Sequence, residues 1–286
     1  MDLRGIFGLE GKNVFITGAG SGMGKAAGRL LTELGANIYA TIRNNPLDFP
    51  ATRGIKSDLS DRRQIDAVVE QLPDEIEAVF LCHAIAQYTH NNLEVSIANF
   101  LSHKYLIEKL LPRIADNGSV TMISSNGGRM WQDVIPQCEE VIACETWDDA
   151  VKWYKDHPEE IKSSYVFSKQ CMHVYVMSKV HAPEFINRRI RLNVLAAGNT
   201  ETGLSEYFYR GINPDDPAKG REIIYKMFLE PWNGRGADIE EMGYPLVVMG
   251  SKICSYMSGQ IIYIDYGMSS IHDFSAIKTK KDKVLQ

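Results

Sequence analysis

The chain has 286 residues, 44% of them hydrophobic, which is enough to bury the core of one large α/β domain. A formal net charge of −5, with the lysines and arginines scattered, argues against nucleic acid or an anionic membrane surface as a partner. Five cysteines form no CxxC pair or metal-ligand spacing, no apolar run is long enough to span a membrane, and the first glycine-rich turn comes too early for a cleaved signal segment. We therefore expect a cytoplasmic, single-domain protein without a metal site.

Apolar runs and helical periodicity alternate along the chain. Strands are predicted at residues 13–16, 36–42, 54–56, 76–82, 119–123, 190–195 and 259–265, with a turn at 116–118. Helices are predicted from residue 25, from a cap at Ser60 or Asp61 to about residue 72, at 93–111 and at 165–181. This alternation requires right-handed crossovers, so we expect an α/β fold with a doubly wound, mostly seven-stranded parallel sheet and helices on both faces. Ligands of such sheets bind at the carboxyl ends of the strands.

Three further segments have a distinct composition. Residues 129–160 are acidic and rich in tryptophan, and their apolar residues are spaced for one or two amphipathic helices, so they are predicted to be a helical insertion before helix 165–181. Residues 199–238 are dense in Gly, Pro, Tyr and Trp, which favours a substrate lid. Residues 277–286 are basic and are predicted to be a flexible, solvated tail.

A glycine-rich turn, from Thr17 to Gly24, connects the first strand to the first helix. Glycine permits positive φ and lets the backbone approach a phosphate closely, while the unpaired N–H groups of the following helix face the anion. Such a turn also occurs without any ligand. A Ser, Tyr and Lys constellation further along the chain favours the phosphate-binding interpretation.

Tyr165 and Lys169 are four residues apart on a predicted helix, so their side chains leave the same face. A phenol has a pKa of about 10, and a neighbouring ammonium group favours its ionised form, which makes proton exchange near neutral pH feasible. The same spacing also occurs as an ordinary exposed pair on a helix surface. Ser125 ends a predicted strand and is expected to face the same crevice as the glycine turn.

With these residues identified, nearly the whole chain resembles the short-chain dehydrogenase/reductase family. Thr17, Gly18, Gly22 and Gly24 match its glycine fingerprint, and the resemblance implies a Rossmann-type fold and NAD(P)-dependent oxidoreductase activity. It implies a catalytic tetrad of Asn99, Ser125, Tyr165 and Lys169. It also implies cofactor contacts from Gly18, Ser21, Gly22, Met23, Gly24, Arg43, Asp58, Leu59, Cys82, His83, Ala84, Tyr165, Lys169, Gly198, Thr200 and Thr202.

The resemblance also implies a role for each member of the tetrad. Tyr165 exchanges the proton, Ser125 hydrogen-bonds the substrate oxygen, Lys169 lowers the pKa of the tyrosine and holds the ribose, and Asn99 anchors a water that leads protons to Lys169.

Two stretches depart from the family pattern. Cys82, His83, Ala84 and Ile85 stand where the family has Asn-Asn-Ala-Gly, so His83 either lines the cofactor groove or is a packed core histidine. Forty positions separate Ser125 from Tyr165, more than in most relatives, which is why residues 129–160 are identified as an insertion. A similar insertion occurs in the bacterial 3α-hydroxysteroid dehydrogenase/carbonyl reductase subgroup, which this chain most resembles.

The end of the second strand bears on the choice of cofactor. NAD-selective sites place a carboxylate there to bind the ribose 2′-hydroxyl, whereas a 2′-phosphate requires a cation. Ile42 occupies the carboxylate position and Arg43 follows it, which favours NADP(H), with NAD(H) as the alternative.

Apolar and aromatic residues beside the predicted site indicate a hydrophobic substrate. Trp131, Tyr207 and Met227 are the candidate substrate contacts. A hydroxysteroid or bile acid is favoured, and the alternatives are a reductase of small carbonyl compounds or terpenoid ketones and a dinucleotide-sensing regulator without catalysis. The resemblance further implies a homodimer, with a tetramer as the alternative.

Overall fold

The computed structural model describes residues 3–275, so the predicted flexible tail at 277–286 lies outside the described residues. All strands belong to one parallel sheet with the order β3-β2-β1-β4-β5-β6-β7. The strands are β1 Asn13–Thr17, β2 Asn37–Ile42, β3 Arg53–Lys56, β4 Ile76–Leu81, β5 Ile114–Ser125, β6 Arg191–Ala197 and β7 Ile261–Ile264. The predicted seven-stranded, Rossmann-type sheet is confirmed.

Helices cover both faces of the sheet. They are α1 Leu3–Phe7, α2 Gly22–Glu33, α3 Arg62–Val69, α4 Asn92–Ser96, α5 Ser102–Leu110, α6 Ile135–Ala143, α7 Trp147–Asp156, α8 Ser164–Lys179, α9 Pro183–Ile186, α10 Ser205–Ile212, α11 Pro217–Phe228 and α12 Glu240–Gly250. Within residues 3–275, no helix combines the length and the apolar character needed to cross a bilayer.

The order of the strands reverses between β1 and β4. From β1 the chain moves outward to β2 and β3, then returns to place β4 on the other side of β1. In doubly wound sheets the ligand crevice opens at this switch point, beyond the carboxyl ends of the strands. The glycine turn follows β1 directly, so it lies at this crevice.

The sheet is buried between two apolar layers. One contains buried residues of α3, α5, α6, α7 and α8, and the other contains those of α2 and α12. Helices α2 and α12 pack unusually closely, because a Cβ atom at Gly243 would lie 2.8 Å from the Met23 carbonyl oxygen. This packing fixes α2, and with it the glycine turn, against the sheet.

Two predicted elements differ from the structure. The predicted turn at 116–118 lies within β5, where Ile114 pairs with Ile76 and Ser119 with Ala78, so residues 115–118 form an outward bulge. The predicted helix 93–111 is interrupted by a π-helical segment at Ile97–Leu101, between α4 and α5.

The two segments of distinct composition are helical. Residues 129–160 contain α6 and α7, and buried Cys138 of α6 lies 3.5 Å, sulfur to sulfur, from buried Cys171 of α8. Residues 199–238 contain α10 and α11, which pack together where a Cβ atom at Gly220 would lie 2.1 Å from the Tyr209 carbonyl oxygen.

Candidate active site

The glycine turn fits closely against the end of β4. Gly18 has φ +65°, and a Cβ atom there would lie 2.9 Å from the backbone nitrogen of His83. A Cβ atom at Gly24 would lie 2.5 Å from the Gly18 carbonyl oxygen. Ser21 caps α2 without a side-chain hydrogen bond, so the first N–H groups of α2 keep no side-chain partner. A close-packed glycine turn followed by a helix N-terminus is the backbone geometry that accommodates anions in proteins.

A cavity of about 710 Å³ runs along the carboxyl edge of the sheet. The predicted cofactor residues that line it are Gly18, Ser21, Gly22, Met23, Arg43, Asp58, Leu59, Cys82, His83, Ala84, Tyr165, Lys169, Gly198, Thr200 and Thr202. Gly24 does not line it, because it packs beneath the turn against Gly18.

Ser125, Tyr165 and Lys169 all line this cavity. Ser125 ends β5 and its hydroxyl accepts a hydrogen bond from the Gly127 N–H at 3.1 Å. Tyr165 and Lys169 lie one turn apart on α8, and the Lys169 ammonium nitrogen is 5.6 Å from the centre of the Tyr165 ring. The structure therefore brings the three groups together as the spacing predicts.

Burial dominates the ionisation of both groups on α8. It raises the pKa of Tyr165, while the hydrogen bond with the Ser125 side chain acts in the opposite direction. Burial also lowers the pKa of Lys169 to about 7. The expected lowering of the tyrosine pKa by the ammonium group is not found in the protein alone, because both groups are desolvated and Lys169 directs its ammonium to the Ile123 carbonyl at 3.2 Å.

Asn99 lies behind the cavity rather than in it. It is fully buried in the π-helical segment, where its amide oxygen accepts the Ile85 N–H at 2.8 Å and its amide nitrogen donates to the Ile85 carbonyl at 2.9 Å. The side chain thus ties the π-helical segment to the loop after β4.

The far end of the cavity carries opposite charges. Arg43 is exposed, lines the cavity and has no hydrogen bond or ion pair within the described part of the chain. Asp58 accepts hydrogen bonds from the Ser60 N–H and hydroxyl, at 3.0 and 2.7 Å. Burial raises the pKa of Asp58, but these bonds and the nearby Arg43 outweigh it, so the pKa of this carboxyl is lowered.

The substrate contacts predicted from the sequence are only partly placed at the site. Tyr207 lines the cavity, whereas Trp131 and Met227 do not. Trp131 packs against the buried core on the α8 side of the sheet, and the Met227 side chain is 59% exposed on the outside of α11. Trp131 and Met227 do not line the cavity, so the prediction that they contact the substrate there is corrected.

The sequence analysis missed several residues that line the cavity near Tyr165. They are Ile85, Tyr88, Ile212, Ile224 and Leu229, and they join Phe208 of α10, which the aromatic composition of the lid segment already indicated. Phe208 contacts the Tyr165 ring edge to face at 5.4 Å between centroids, and it contacts Tyr88 at 6.2 Å. Tyr88 could have been suspected, since it is an aromatic residue in the loop after a central strand.

Sequence comparisons show which proteins the chain is similar to. No family model matches the chain. It is 27% identical to coniferyl-alcohol dehydrogenase from Pseudomonas sp., over 92% of this chain and 99% of that protein. It is 24% identical to dehydrogenase/reductase SDR family member 6 from Rattus norvegicus, over 91% and 98%, and 25% identical to 3-alpha-hydroxysteroid dehydrogenase/carbonyl reductase from Comamonas testosteroni, over 90% and 96%. The curated relatives and structure neighbours of the chain are short-chain dehydrogenases/reductases, among them 3-alpha-hydroxysteroid dehydrogenases. Members of this family are oxidoreductases.

Solved structures share the fold of this chain. The 3-alpha-hydroxysteroid dehydrogenase from Pseudomonas sp. B-0831, complexed with NADH, superposes with a TM-score of 0.73 at 20% identity, over 91% of this chain and 98% of that one. BdcA in complex with NADPH gives 0.66 at 18% identity, over 90% and 94%. The structure neighbours therefore include one complex with NADH and one with NADPH.

Proposed function

We propose that this chain is an NADP(H)-dependent oxidoreductase that interconverts a secondary alcohol and a ketone on a hydrophobic, cyclic substrate, with a hydroxysteroid or bile acid favoured. The meeting of Ser125, Tyr165 and Lys169 in the cavity that starts at the glycine turn carries this proposal. A sensing regulator would have no need of all three groups in one cavity.

The cavity suits a dinucleotide. At Gly18 and Gly24 any side chain would collide with backbone, so the turn keeps its backbone accessible, and α2 begins at Gly22 on the cavity wall. Gly18, Gly22 and the start of α2 would hold the pyrophosphate, Asp58 and Leu59 the adenine, and Gly198, Thr200 and Thr202 the nicotinamide end. When bound, the nicotinamide supplies or accepts the hydride.

In the reducing direction, Tyr165 donates its phenolic proton to the carbonyl oxygen as hydride reaches the carbonyl carbon. Its raised pKa keeps the phenol protonated at neutral pH, which is the form that a general acid requires. Ser125 hydrogen-bonds the same oxygen, and Lys169 places a proton donor beside Tyr165. Asn99 in the π-helical segment takes part in returning protons to Lys169.

Arg43 supports the choice of NADP(H). It lines the cavity next to Ile42, it has no partner in the described part of the chain, and no carboxylate occupies position 42. A 2′-phosphate would gain a charge-assisted contact with this guanidinium. Asp58 lies near enough to influence Arg43 electrostatically, and its carboxylate is already bonded by Ser60.

The lining near Tyr165 supports an apolar substrate. The charged residues of the whole lining are Arg43, Asp58, Lys169 and Glu201, and Glu201 is held by the Tyr209 hydroxyl at 3.2 Å. No cation other than Lys169 lies among the lining residues near Tyr165 in the described chain, so a carboxylate on the substrate, as in a bile acid, would extend toward solvent. A small aryl or terpenoid carbonyl compound is the second candidate, since Phe208 and Tyr88 offer ring edges to a flat substrate.

A substrate panel tests the proposal. Wild type and Tyr165→Phe are assayed with hydroxysteroids, bile acids, aryl alcohols and cyclic ketones, following NADPH absorbance, with NADH for comparison. We expect turnover by the wild type and a loss of at least about 10² in kcat for Tyr165→Phe, with the Kd for NADPH retained. A wild type that binds NADPH and turns over nothing, or a Tyr165→Phe variant with normal kcat, overturns the assignment.

We also propose that residues 129–160 are an insertion, that residues 199–238 act as a lid, and that the enzyme is a cytoplasmic homodimer. The packing of α6 against α8 and the position of α10 over Tyr165 support the first two. Sedimentation of the purified protein tests the dimer, and a monomer at micromolar concentration would contradict it.

A further inference from the structure

One imidazole ring connects three parts of the site. The Nδ1 atom of His83 lies 2.8 Å from the hydroxyl of Thr17, which ends β1 and begins the glycine turn. Its Nε2 atom lies 2.8 Å from the hydroxyl of Ser102, the first residue of α5. Between these two contacts the ring lines the cavity. Both interpretations of His83 therefore hold: it faces the groove, and it is packed and bonded.

The neighbouring hydrogen bonds determine which ring nitrogen carries the proton. The Thr17 oxygen accepts the Cys82 N–H at 3.0 Å and the His83 N–H at 3.4 Å, which uses both of its lone pairs, so its own proton is donated to Nδ1 of His83. The Ser102 hydroxyl donates to the Ala98 carbonyl at 2.8 Å, so its oxygen accepts from Nε2. The result is a directional chain, Thr17 to His83 to Ser102 to Ala98, in which His83 is one acceptor and one donor.

This chain of hydrogen bonds ends in the π-helical segment that carries Asn99. The Ser102 N–H bonds the Ile97 carbonyl, one residue further back than in an α-helix, and the Ser102 hydroxyl bonds the Ala98 carbonyl that the N–H would otherwise reach. Single π-turns are rare and concentrate at functional sites. Here the hydroxyl that completes the turn is also the acceptor for His83.

The surroundings keep the imidazole neutral. Burial lowers the pKa of His83 to about 3, and the charge of Lys169 acts in the same direction. The ring of His103 stacks on it at 3.9 Å between centroids, with 15° between the ring planes, and burial holds the pKa of His103 well below its ordinary value. A protonated His83 would donate from both ring nitrogens and could not accept a hydrogen bond from Thr17. The hydrogen bonds from Thr17 to Ser102 therefore require the neutral imidazole.

We propose that His83 is a positioning residue, which acts through Ser102 to hold the π-helical segment, and with it Asn99, at a fixed place relative to the end of β4. The proposal rests on the proposed function in one respect, the part of Asn99 in returning protons to Lys169. His83 itself needs no contact with the substrate.

Two substitutions separate the ends of the imidazole. In His83→Asn the side-chain amide ends where Nδ1 lies, so it keeps the Thr17 contact and loses Ser102. In His83→Gln the amide nitrogen reaches the position of Nε2, so it keeps the Ser102 contact and loses Thr17. Ser102→Ala removes the hydrogen bond between His83 and Ser102 from the serine side. The cavity lining stays unchanged, because Ser102 does not line the cavity.

The experiment compares wild type, both His83 variants, Ser102→Ala and the double variant His83→Asn/Ser102→Ala. Readouts are kcat, its solvent deuterium isotope effect, the Kd for NADPH and the melting temperature. We expect His83→Asn and Ser102→Ala to lower kcat equally, by on the order of tenfold, as for other slightly misplaced groups. The double variant should lose no more kcat than either single one, the isotope effect should rise, and His83→Gln should lose less kcat than His83→Asn.

Several outcomes would overturn the proposal. Losses that multiply in the double variant would show that His83 and Ser102 act independently. A lower melting temperature with unchanged kcat and isotope effect would leave a structural role only. Failure of the proposed function looks different, because wild type would then turn over no substrate. In that case amide hydrogen exchange of residues 97–101 tests the positioning role. Exchange that is faster than in wild type for His83→Asn and Ser102→Ala, but not for His83→Gln, supports the role. Exchange rates equal to those of wild type in all three variants refute it.

Discussion

The ammonium group of Lys169 lies 5.6 Å from the centre of the Tyr165 ring and donates to the Ile123 carbonyl rather than to a carboxylate. Its hydrogen-bond partners within the described residues are that carbonyl and the Met172 sulfur, so no anion compensates for its burial. The protein alone therefore holds Lys169 ready to lose its charge near neutral pH, while Tyr165 keeps its proton.

A comparison of wild type with Lys169→Met should show that the burial of Lys169 makes the free energy of unfolding depend on pH. The pKa of Lys169 falls from 10.5 to about 7 on folding, so between those values the unfolded chain binds more protons and the free energy of unfolding rises with pH. The Met variant lacks this contribution. We expect the unfolding free energy of wild type minus that of the variant to increase from pH 7 to pH 10 in urea titrations, whereas a constant difference would contradict the lowered pKa.

Arg43→Ala should change cofactor preference. Loss of a guanidinium contact to a 2′-phosphate weakens NADPH binding by roughly ten- to a hundredfold, as for other hydrogen bonds to charged groups, and leaves NADH binding unchanged. Fluorescence titration with both dinucleotides measures this. Arg63→Ala is the matched control, because Arg63 is 88% exposed and lies outside the cavity lining. Equal NADPH affinity in wild type and Arg43→Ala would show that NADP(H) is not selected here.

Gly211→Ala should disturb the seating of α10. A Cβ atom at Gly211 would lie 2.2 Å from the Tyr88 ring, so α10 or Tyr88 must move. We expect a higher KM for the substrate with an unchanged Kd for NADPH. Gly203→Ala is the control, because its Cβ atom would have nothing within 4 Å. Identical kinetics for the Gly203 and Gly211 variants would exclude the contact as a determinant of substrate binding.

Phe208→Ala and Met227→Ala test the revised lining. Phe208 contacts Tyr165 edge to face, so its truncation should lower kcat/KM by roughly threefold to tenfold, in line with the strength of aromatic pairs. Met227 is exposed and outside the lining, so Met227→Ala should match wild type. Steady-state assays on one ketone are sufficient, and a larger loss in the Met227 variant would restore the original interpretation.

The sheet and the meeting of Ser125, Tyr165 and Lys169 could be predicted because they follow from local patterns. Strand ends of a parallel sheet share one edge, and a spacing of four places two residues on one helix face. The π-helical segment could not be predicted, since its apolar spacing is that of an ordinary helix. What distinguishes it are tertiary bonds, from Asn99 to Ile85 and from Ser102 to His83, which join residues 14 and 19 positions apart.

The composition of the 199–238 segment indicated aromatic contacts without indicating which residues make them. Met227 and Phe228 are adjacent on α11, yet only Phe228 lines the cavity, because the orientation of α11 depends on its packing against α10 at Gly220. Trp131 likewise follows Ser125 closely in sequence and still turns into the core. Hydrophobic residues in helices that cover a sheet can face either way, and only the packing decides.

The proposed reacting groups and most of the residues around the substrate end belong to different parts of the chain. The former sit on β5 and α8, whereas the latter come mainly from one continuous stretch, 204–229, with a short contribution from 85–88. Substrate choice in this enzyme is therefore free to diverge without rebuilding the catalytic framework. Chimeras that exchange this stretch between relatives offer a direct route to new selectivity.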